Sequence, residues 1–465
     1  MGDRHMPEDS NGKEFNRIPL VIVLISGAFV AILNQTLLGT ALPKIMTDLN
    51  LTENTVQWLQ SVFMLVNGIM IPITAFLIGR FTTRRLFLTA MVLFSLGTLT
   101  AAVSPNFELL LAGRVLQASG AGIMMPLMQT ILMLIYPIEK RGSAMGMFGL
   151  VIAFAPAIGP SLAGYIVEAG SWRWLFWMIL PIAIIDIILA YFVLKNVTKL
   201  TNPKLDVLSI ILSTFGFGGI LYAFSMAGSA GWGSAEVILG FLIGTITLIW
   251  FITRQFKLKQ PILEFRVMKY KMFTITTIIG MITFIAVIGA AIILPLYMQT
   301  MLGFSAFESG LALLAGAVIQ GILNPITGRL FDRFGAKWLS ITGMFILTVS
   351  TFMFAVLTPE TSFVYISVVH ALRMASISMV MMPVTTAGLN VLPTELISHG
   401  AAVNNTLRQV SGSIGTALPI TIMTTFTIPE KGIEGMIRGV NISFVFAGAI
   451  ALLGLILSFY IRDRK

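Results

Sequence analysis

The chain has 465 residues, of which 56% are hydrophobic and 11% are charged, and its mean hydropathy is +0.91. Soluble domains carry about a quarter charged residues, so this composition excludes a soluble globular protein and indicates a membrane protein. Cysteine is absent and only three histidines occur, which excludes disulfides and thiolate metal sites and leaves too few histidines for a metal cluster.

Fourteen apolar segments follow one another along the chain, each long enough to cross a bilayer. A membrane helix needs about 20 apolar residues. In lipid the backbone must bond within its own segment, so each segment is predicted to be a helix rather than a strand. The segments cover residues 18–41, 56–79, 86–104, 107–133, 143–167, 172–194, 206–228, 235–254, 273–298, 309–328, 338–357, 361–386, 400–426 and 440–461.

The placement of positive charge predicts the orientation of these helices. Most of the 30 lysines and arginines fall in the connecting segments that an even number of helices places on the same side as both termini. The opposite segments hold only Lys44, Arg173, Lys431 and Arg438. By the positive-inside rule, both termini are therefore predicted to be cytoplasmic. Topology then explains the net charge of +10, and we expect no nucleic-acid partner.

The chain contains an internal repeat. Gly79–Arg85, after the second predicted helix, is similar to Gly328–Lys337, after the tenth. Arg114 in the fourth helix and Arg373 in the twelfth each precede a Met-Met-Pro sequence. Helices one to six and nine to fourteen are therefore predicted to be two copies of a six-helix unit, with two helices inserted between them. Duplicated halves of this kind are typical of transporters.

The repeat predicts an all-α integral membrane protein in four parts. They are a cytoplasmic tail at residues 1–16, an N-terminal six-helix bundle at 17–200, two inserted transmembrane helices at 201–258 and a C-terminal six-helix bundle at 259–465. The tail is polar and of mixed charge, unlike the basic start of a cleavable signal, and we expect it to be disordered.

Several short segments together carry a family resemblance. They are Gly328–Lys337, Ala155–Gly164 in the fifth helix, Trp172–Phe176, Gly303–Gly310 and Arg408–Gly415. In order and position they resemble the major facilitator superfamily, specifically its fourteen-helix drug:proton antiporter branch. The first is similar to the superfamily's signature cytoplasmic loop, and the second is similar to the motif associated with antiporters. The resemblance implies a bacterial exporter of the quaternary ammonium or lincosamide resistance type.

Two positions depart from that branch. The branch commonly carries an aspartate in the first helix before a threonine, but this chain has Asn34, Gln35 and Thr36 there. Asparagine cannot take up and release a proton, so the usual proton site is missing. The first loop copy also lacks its aspartate and second glycine, so a gate at these loops is expected to depend on Asp332.

The resemblance implies a gating role for the second loop copy. Its aspartate is expected to cap or pair with neighbouring helix ends and hold one access state closed, a contact of the kind that switches between two states. The alternative is a solvated, charged turn. The gating residues are predicted to be Gly328, Asp332, Arg333, Gly335 and Lys337.

The antiporter motif in the fifth helix has two possible roles. Glycines and prolines allow a membrane helix to bend, and small residues also allow close packing against a neighbouring helix. The residues concerned are Gly159, Pro160 and Gly164.

Ionisable groups inside predicted helices are candidates for proton coupling, because a charge within the bilayer is expensive and should face protein or a water-filled cavity. Asp186 is the only acid well inside a predicted helix, and His370 carries an imidazole, which ordinarily titrates near neutrality. Asn34 occupies the usual acid position, and Arg114 is predicted to control a neighbouring acid or helix packing. The alternatives are a buried ion pair for Asp186 and a hydrogen bond from Arg114 to carbonyls of the proline-broken fifth helix.

A substrate cavity is predicted between the two bundles, lined by polar, methionine and phenylalanine side chains. Methionine is unbranched and polarizable, so such a cavity would accept varied lipophilic cations. Ordinary packing is the alternative for the methionines, and a structural hydrogen bond is the alternative for the arginine. The candidates are Gln35, Gln60, Phe63, Met124, Met125, Phe154, Met381, Met382, Asn404 and Arg408.

These observations predict a proton-coupled multidrug efflux antiporter of the cytoplasmic membrane. The sequence contains no phosphate-binding loop, metal-spaced histidine set or nucleophile elbow, so neither ATP-driven transport nor an enzyme is expected. The expected partners of the monomer are amphipathic drugs, protons and the lipid bilayer, with the proton gradient in place of a cofactor. An exporter of a single solute and a lipid-moving protein are the alternatives.

Overall fold

A computed structural model describes residue 12 and residues 14–463, so most of the predicted tail lies outside the described residues. Over the described residues the chain forms fourteen long α-helices. They are α1 Arg17–Asp48, α2 Glu53–Arg80, α3 Thr83–Ala102, α4 Phe107–Ile135, α5 Arg141–Ala169, α6 Trp174–Val193, α7 Val207–Ala230, α8 Ala235–Lys257, α9 Lys271–Leu296, α10 Ala306–Phe334, α11 Ala336–Met353, α12 Phe363–Asn390, α13 Ile397–Phe426 and α14 Gly432–Ser458. All fourteen predicted helices are confirmed.

Several helices are longer than their apolar segments. The first continues seven residues beyond residue 41, to Asp48, and the last begins at Gly432 rather than at residue 440. Lys44 and Arg438, assigned to connecting segments by the sequence, therefore lie in helix ends. The reason is that apolarity marks the part of a helix within the hydrocarbon core, which is only about 30 Å thick, whereas the backbone hydrogen bonds continue into the polar boundary.

Thirteen of these helices, among the residues the structure describes, are long and apolar enough to cross a membrane. The exception is α13, whose first half carries Asn404, Asn405, Arg408 and Gln409. It contacts α2, α4, α7, α9 and α14. A polar helix is accommodated in a membrane protein when its polar face turns to the other helices rather than to lipid.

The helices form two six-helix halves, α1–α6 and α9–α14, with α7 and α8 inserted between them. Within the inserted pair, the backbones approach closely at two glycines: a Cβ on Gly219 would lie 2.8 Å from the Gly244 Cα. Small residues permit such close packing in lipid, where van der Waals contact replaces the hydrophobic effect between helices. The pair is placed against the seam between the halves, since α7 contacts both α2 and α13.

The two halves meet most closely along α5 and α10. A Cβ on Gly146 would lie 2.5 Å from the Asn324 carbonyl oxygen, and a Cβ on Gly328 would overlap the Gly142 carbonyl oxygen. The glycines thus bring the start of α5 against the end of α10. This contact sets the position of the loop that follows α10.

Candidate functional site

The Asp332 carboxylate, near the end of α10, caps the first turn of α5 in the other half. It accepts hydrogen bonds from the Gly142 amide at 2.7 Å, the Ser143 amide at 2.8 Å and the Ser143 hydroxyl. The first amides of a helix have no partner within it, and the helix dipole favours a negative charge at that end. The contact is therefore a helix cap between the two halves rather than an ion pair.

The rest of the predicted gating loop is held by the end of the chain. Gly335 has φ of 80°, in the left-handed region that favours glycine. Asp463 accepts hydrogen bonds from the Ala336 amide at 2.6 Å and the Lys337 amide at 3.2 Å, which caps α11. The Arg333 guanidinium lies over the Phe334 ring, 5.1 Å from its centroid. Sequence reasoning missed Asp463, because nothing in its local sequence links it to a loop more than a hundred residues earlier.

Two further hydrogen bonds join the halves at the same end of the molecule. Arg141 donates to the Asn390 side-chain oxygen at 2.9 Å, and Asn405 donates to the Gln129 side-chain oxygen at 2.7 Å. Together with the Asp332 cap they close the gap between the halves at the end that the sequence predicts to be cytoplasmic.

Arg114 is the centre of a buried polar network in the first half. Its side chain is 0% exposed, and its Nε donates to the Leu59 carbonyl at 3.1 Å while Nη1 donates to Gln117 at 2.9 Å. The guanidinium also lies over the Phe63 ring, 4.3 Å from the centroid. The carbonyl that accepts this hydrogen bond belongs to α2, so the alternative of a hydrogen bond from Arg114 to α5 is not what the structure contains. The reason is that Leu59 lies beside Arg114 across the α2–α4 contact.

The network continues from Arg114 to the position of the missing acid. Gln117 donates to the Thr98 hydroxyl at 2.9 Å and to the Asn34 side-chain oxygen at 3.4 Å. Asn34 is 2% exposed. Arg114 and Gln117 together thus connect α4 to α1, α2 and α3. Asn34, at the position where the branch commonly has an aspartate, is a neutral amide that forms a hydrogen bond but cannot take up or release a proton.

Asp186 on α6 is buried against α1, and among the described residues it has no cationic partner. It is 2% exposed and accepts a hydrogen bond from the Ser26 hydroxyl, whereas its second oxygen has no hydrogen-bond partner in the described chain. The ion pairs found over residues 14–463 are Arg254–Asp206 and Arg266–Glu264. A buried pairing of Asp186 with an arginine, the alternative left open by the sequence, is therefore not what the structure contains.

The second half has its own buried arginine and a buried histidine one turn before it. Arg373 donates from Nε to the Thr351 hydroxyl at 3.2 Å and from Nη2 to the Ala286 carbonyl at 2.5 Å. His370 is 2% exposed, and neither ring nitrogen has a hydrogen-bond partner among the described residues. The two side chains do not hydrogen-bond each other.

The predicted cavity residues divide by exposure. The buried ones are Phe63, Met124, Met381, Met382 and Asn404. The partly exposed ones are Gln35, Gln60, Met125, Phe154 and Arg408. Phe63 packs on Arg114 as described, and the Met382 Cγ lies 2.7 Å from the position of a Cβ on Gly149. The Arg408 guanidinium lies 5.3 Å from the centroid of the Phe284 ring. Substrate contact by any of them stays a prediction.

The antiporter motif lies in an unbroken helix. A Cβ on Gly159 would overlap the Thr36 hydroxyl of α1, whereas a Cβ on Gly164 would lie 3.9 Å from Thr40. Pro160 is exposed and α5 continues through it. Gly159 therefore serves close packing of α5 on α1 in this structure, and a role in bending stays a prediction.

Comparison with known proteins adds to this geometry. Residues 24–416 match the family model of the Major Facilitator Superfamily. The chain is 54% identical over 460 residues to the "Uncharacterized MFS-type transporter YcnB" of Bacillus subtilis (strain 168), with 97% of each chain covered. It is 43% identical over 468 residues to the "Lincomycin resistance protein LmrB" of Listeria monocytogenes, covering 98% of this chain and 99% of that one.

A solved structure supports the same fold. The human organic anion transporter MFSD10 matches with a TM-score of 0.71 over 96% of this chain and 100% of that chain, at 12% sequence identity. Identity this low supports the fold alone. From the family match over most of its length and the full-length relatives, the chain belongs to the Major Facilitator Superfamily of membrane transporters.

Proposed function

We propose that this transporter is a proton-coupled multidrug efflux antiporter that exports lipophilic, often cationic, drugs and dyes across the cytoplasmic membrane. The observation that carries the proposal is the 43% identity to a lincomycin resistance protein over nearly the whole of both chains. Both termini lie in the cytoplasm, the monomer is the working unit, and the proton gradient is the energy source.

Asp186 is the proposed proton carrier. A carrier must bind and release a proton as access alternates, and a buried carboxyl paired with an arginine would hold its charge instead. Asp186 has no such partner, and one of its oxygens has no hydrogen bond in the described chain. Its partner Ser26 lies on α1, so protonation changes a contact between two helices of the first half. This combination supports Asp186 over Asn34, which cannot titrate.

The Asp332 cap is the proposed latch of the cytoplasmic gate. It joins α10 of one half to the first turn of α5 of the other through two amides and a hydroxyl. Opening this end requires the halves to separate here, which breaks the cap and exposes the helix end. A contact that is made in one state and lost in the other biases the equilibrium between them.

The test uses purified protein in liposomes with an imposed pH gradient, acidic inside. Lincomycin and ethidium are followed together with internal pH, with a protonophore and protein-free liposomes as controls. We expect both compounds to accumulate inside the liposomes only when the gradient is present. We also expect their entry to be accompanied by movement of protons out of the liposomes, seen as a rise in internal pH. Accumulation that is insensitive to the protonophore would contradict proton coupling, and gradient-driven movement of neither compound would contradict drug export.

A further inference from the structure

A cavity of about 330 Å³ lies where the inserted helix α7 meets the two halves of the transporter. Its walls come from the first part of α2 in one half, from α7 and from the middle of α13 in the other half, with one residue of α1. The lining includes Gln57, Trp58, Gln60, Tyr222, Ser225 and Ser413. Of these, only Gln60 is among the substrate-cavity residues predicted from the sequence.

Contacts on both sides of the cavity hold α7 against the seam. Towards the end of α2, Gly68 packs so closely on Leu221 that a Cβ there would overlap the leucine side chain. Beyond α7, the Trp232 indole in the loop before α8 donates a hydrogen bond to the Thr421 hydroxyl of α13 at 2.7 Å. The inserted helix is thus fixed to both halves, and the cavity lies between them.

The lining combines uncharged polar groups with apolar side chains, the latter being Leu42, Met64, Leu65, Leu221 and Met226. Amides come from Gln57, Gln60 and Gln409, and hydroxyls come from Ser61, Tyr222, Ser225, Ser413 and Thr416. Amide and hydroxyl groups both donate and accept hydrogen bonds. No lysine, arginine, aspartate or glutamate is among the described residues that line the cavity, so the lining itself offers a charged ligand no countercharge.

An aromatic pair completes one wall. The Trp58 and Tyr222 rings stack at 6.0 Å between centroids with an interplanar angle of 25°. The Tyr222 hydroxyl donates to Glu236 on α8 at 3.5 Å, which connects the pair to the second inserted helix. Aromatic faces offer a rigid apolar platform at low cost in side-chain entropy. The platform joins α2 to α7, so it exists only because the two helices are inserted.

We infer that this cavity is a binding site for an uncharged, hydroxyl-rich ring, such as the sugar moiety of a drug, with α7 as one of its walls. A ring of this kind offers hydroxyl groups to the amides and serines and a C–H face to the aromatic pair. The inference rests on the proposed function, because it names a part of the exported substrate. Since α2 and α13 belong to different halves, any movement of the halves changes the width of the site.

The experiment measures binding to the full-length protein in lipid nanodiscs prepared without sugar-headed detergent. The ligands are radiolabelled lincomycin, which carries a sugar ring, and ethidium, which carries none. Ser225→Phe fills the cavity from α7, and we expect it to raise the Kd for lincomycin by about tenfold, equivalent to about 1.4 kcal/mol, while the Kd for ethidium is unchanged. The matched control is Thr245→Phe, on an exposed position of α8, which should change neither.

Trp58→Ala provides a second variant, because it removes the platform without filling the cavity. We expect it to weaken the binding of lincomycin and to leave the binding of ethidium unchanged. Retained ethidium binding shows that both variants are folded. Any of three results would overturn the inference. They are an unchanged affinity for lincomycin in the variants, an equal loss of affinity for both ligands in both variants, and no binding of lincomycin by the parent protein. If ethidium export stayed gradient-driven in those cases, the proposed function would stand without this site.

Discussion

Each half of the transporter buries a candidate proton-binding side chain inside its bundle, Asp186 in the first half and His370 in the second, and each of the two lies against a glycine of a neighbouring helix. Asp186 lies against Gly27 of α1, and His370 lies against Gly316 of α10; both titratable residues are 2% exposed. Burial therefore does not distinguish them, and their surroundings do. Asp186 accepts a hydrogen bond from the Ser26 hydroxyl on α1, whereas His370 has no hydrogen-bond partner in the described chain.

Under the proposed proton coupling, this difference favours the first half as the place of the carrier. Protonation of Asp186 removes a charge from a contact between α6 and α1, so it alters the attraction between two helices. Protonation of His370 would add a positive charge one turn from Arg373, and neither ring nitrogen has a hydrogen-bond partner in the part of the chain that the structure describes. The first half thus has a group whose charge is coupled to helix contacts, and the second half has a packed imidazole.

The largest expected effect comes from removing the titratable group of each half in turn. We expect Asp186→Asn to lower proton-coupled lincomycin transport by at least about tenfold, because an amide of the same shape cannot exchange a proton; such a loss corresponds to about 1.4 kcal/mol or more. We expect His370→Gln to change it by less than about twofold, which is under about 0.5 kcal/mol. Transport and internal pH in proteoliposomes provide the measurement.

Asp206→Asn is the matched control for that comparison, since it removes an acid that is paired with Arg254 outside both halves. It should transport like the parent protein. If His370→Gln abolished coupling and Asp186→Asn did not, the assignment of the carrier would move to the second half.

The second comparison adds a methyl group beneath each titratable residue. At Gly27 an added Cβ would lie 2.7 Å from Met124, 2.8 Å from Asp186 and 2.9 Å from Phe87, three side chains on three different helices. At Gly316 it would meet His370 at 2.5 Å and Met374 at 2.8 Å, both on α12. Overpacking of this kind costs about 1–3 kcal/mol. We expect Gly27→Ala to be the more destabilising, because three helices must yield.

Thermal unfolding of the two alanine variants in nanodiscs measures this difference. A lower melting temperature for Gly316→Ala than for Gly27→Ala would show that the second half is the more tightly packed around its titratable group. Gly280→Ala is a suitable control, because the added Cβ would meet nothing within 4 Å.

The sequence predicted the membrane helices well, because each apolar segment reports directly on its own burial in lipid. It also located the loop aspartate, Asp332, through a resemblance, although its partner at the start of α5 became known only from packing. The link from Arg114 through Gln117 to Asn34 could not be predicted, since it depends on how α1, α3 and α4 come together. Ser26 was missed for the same reason.

A third prediction concerns the contact between the two halves. Asp332→Ala removes the cap of α5, and the loss of an N-cap costs about 1 kcal/mol, whereas asparagine caps about as well as aspartate. We therefore expect Asp332→Ala to raise the population of molecules that are open at this end by about fivefold, because about 1 kcal/mol corresponds to that factor. Asp332→Asn should raise this population less.

Because the chain has no cysteine, a single Val391→Cys substitution at the half-buried residue that follows α12 at this end reports its opening by the rate of thiol labelling. The same cysteine on an otherwise unchanged background is the reference for both variants. Equal labelling rates for all three proteins would show that the cap does not hold the halves together.

The smallest expected effect belongs to the ion pair outside both halves, which shows how a paired acid behaves. Hydrogen bonds from the Arg254 guanidinium hold the pKa of Asp206 below its usual range. A lowered pKa adds stability above the unfolded carboxyl pKa of about 3.9, and that stability is lost as the pH falls through the folded value. Partly exposed pairs contribute up to about 1 kcal/mol.

Asp206→Asn should therefore lower the melting temperature slightly and by the same amount at pH 7 and pH 5. The difference in melting temperature between the parent protein and the variant should shrink below about pH 4. A deficit that grew towards acid pH in thermal unfolding would show that Asp206 is not stabilised by its charge.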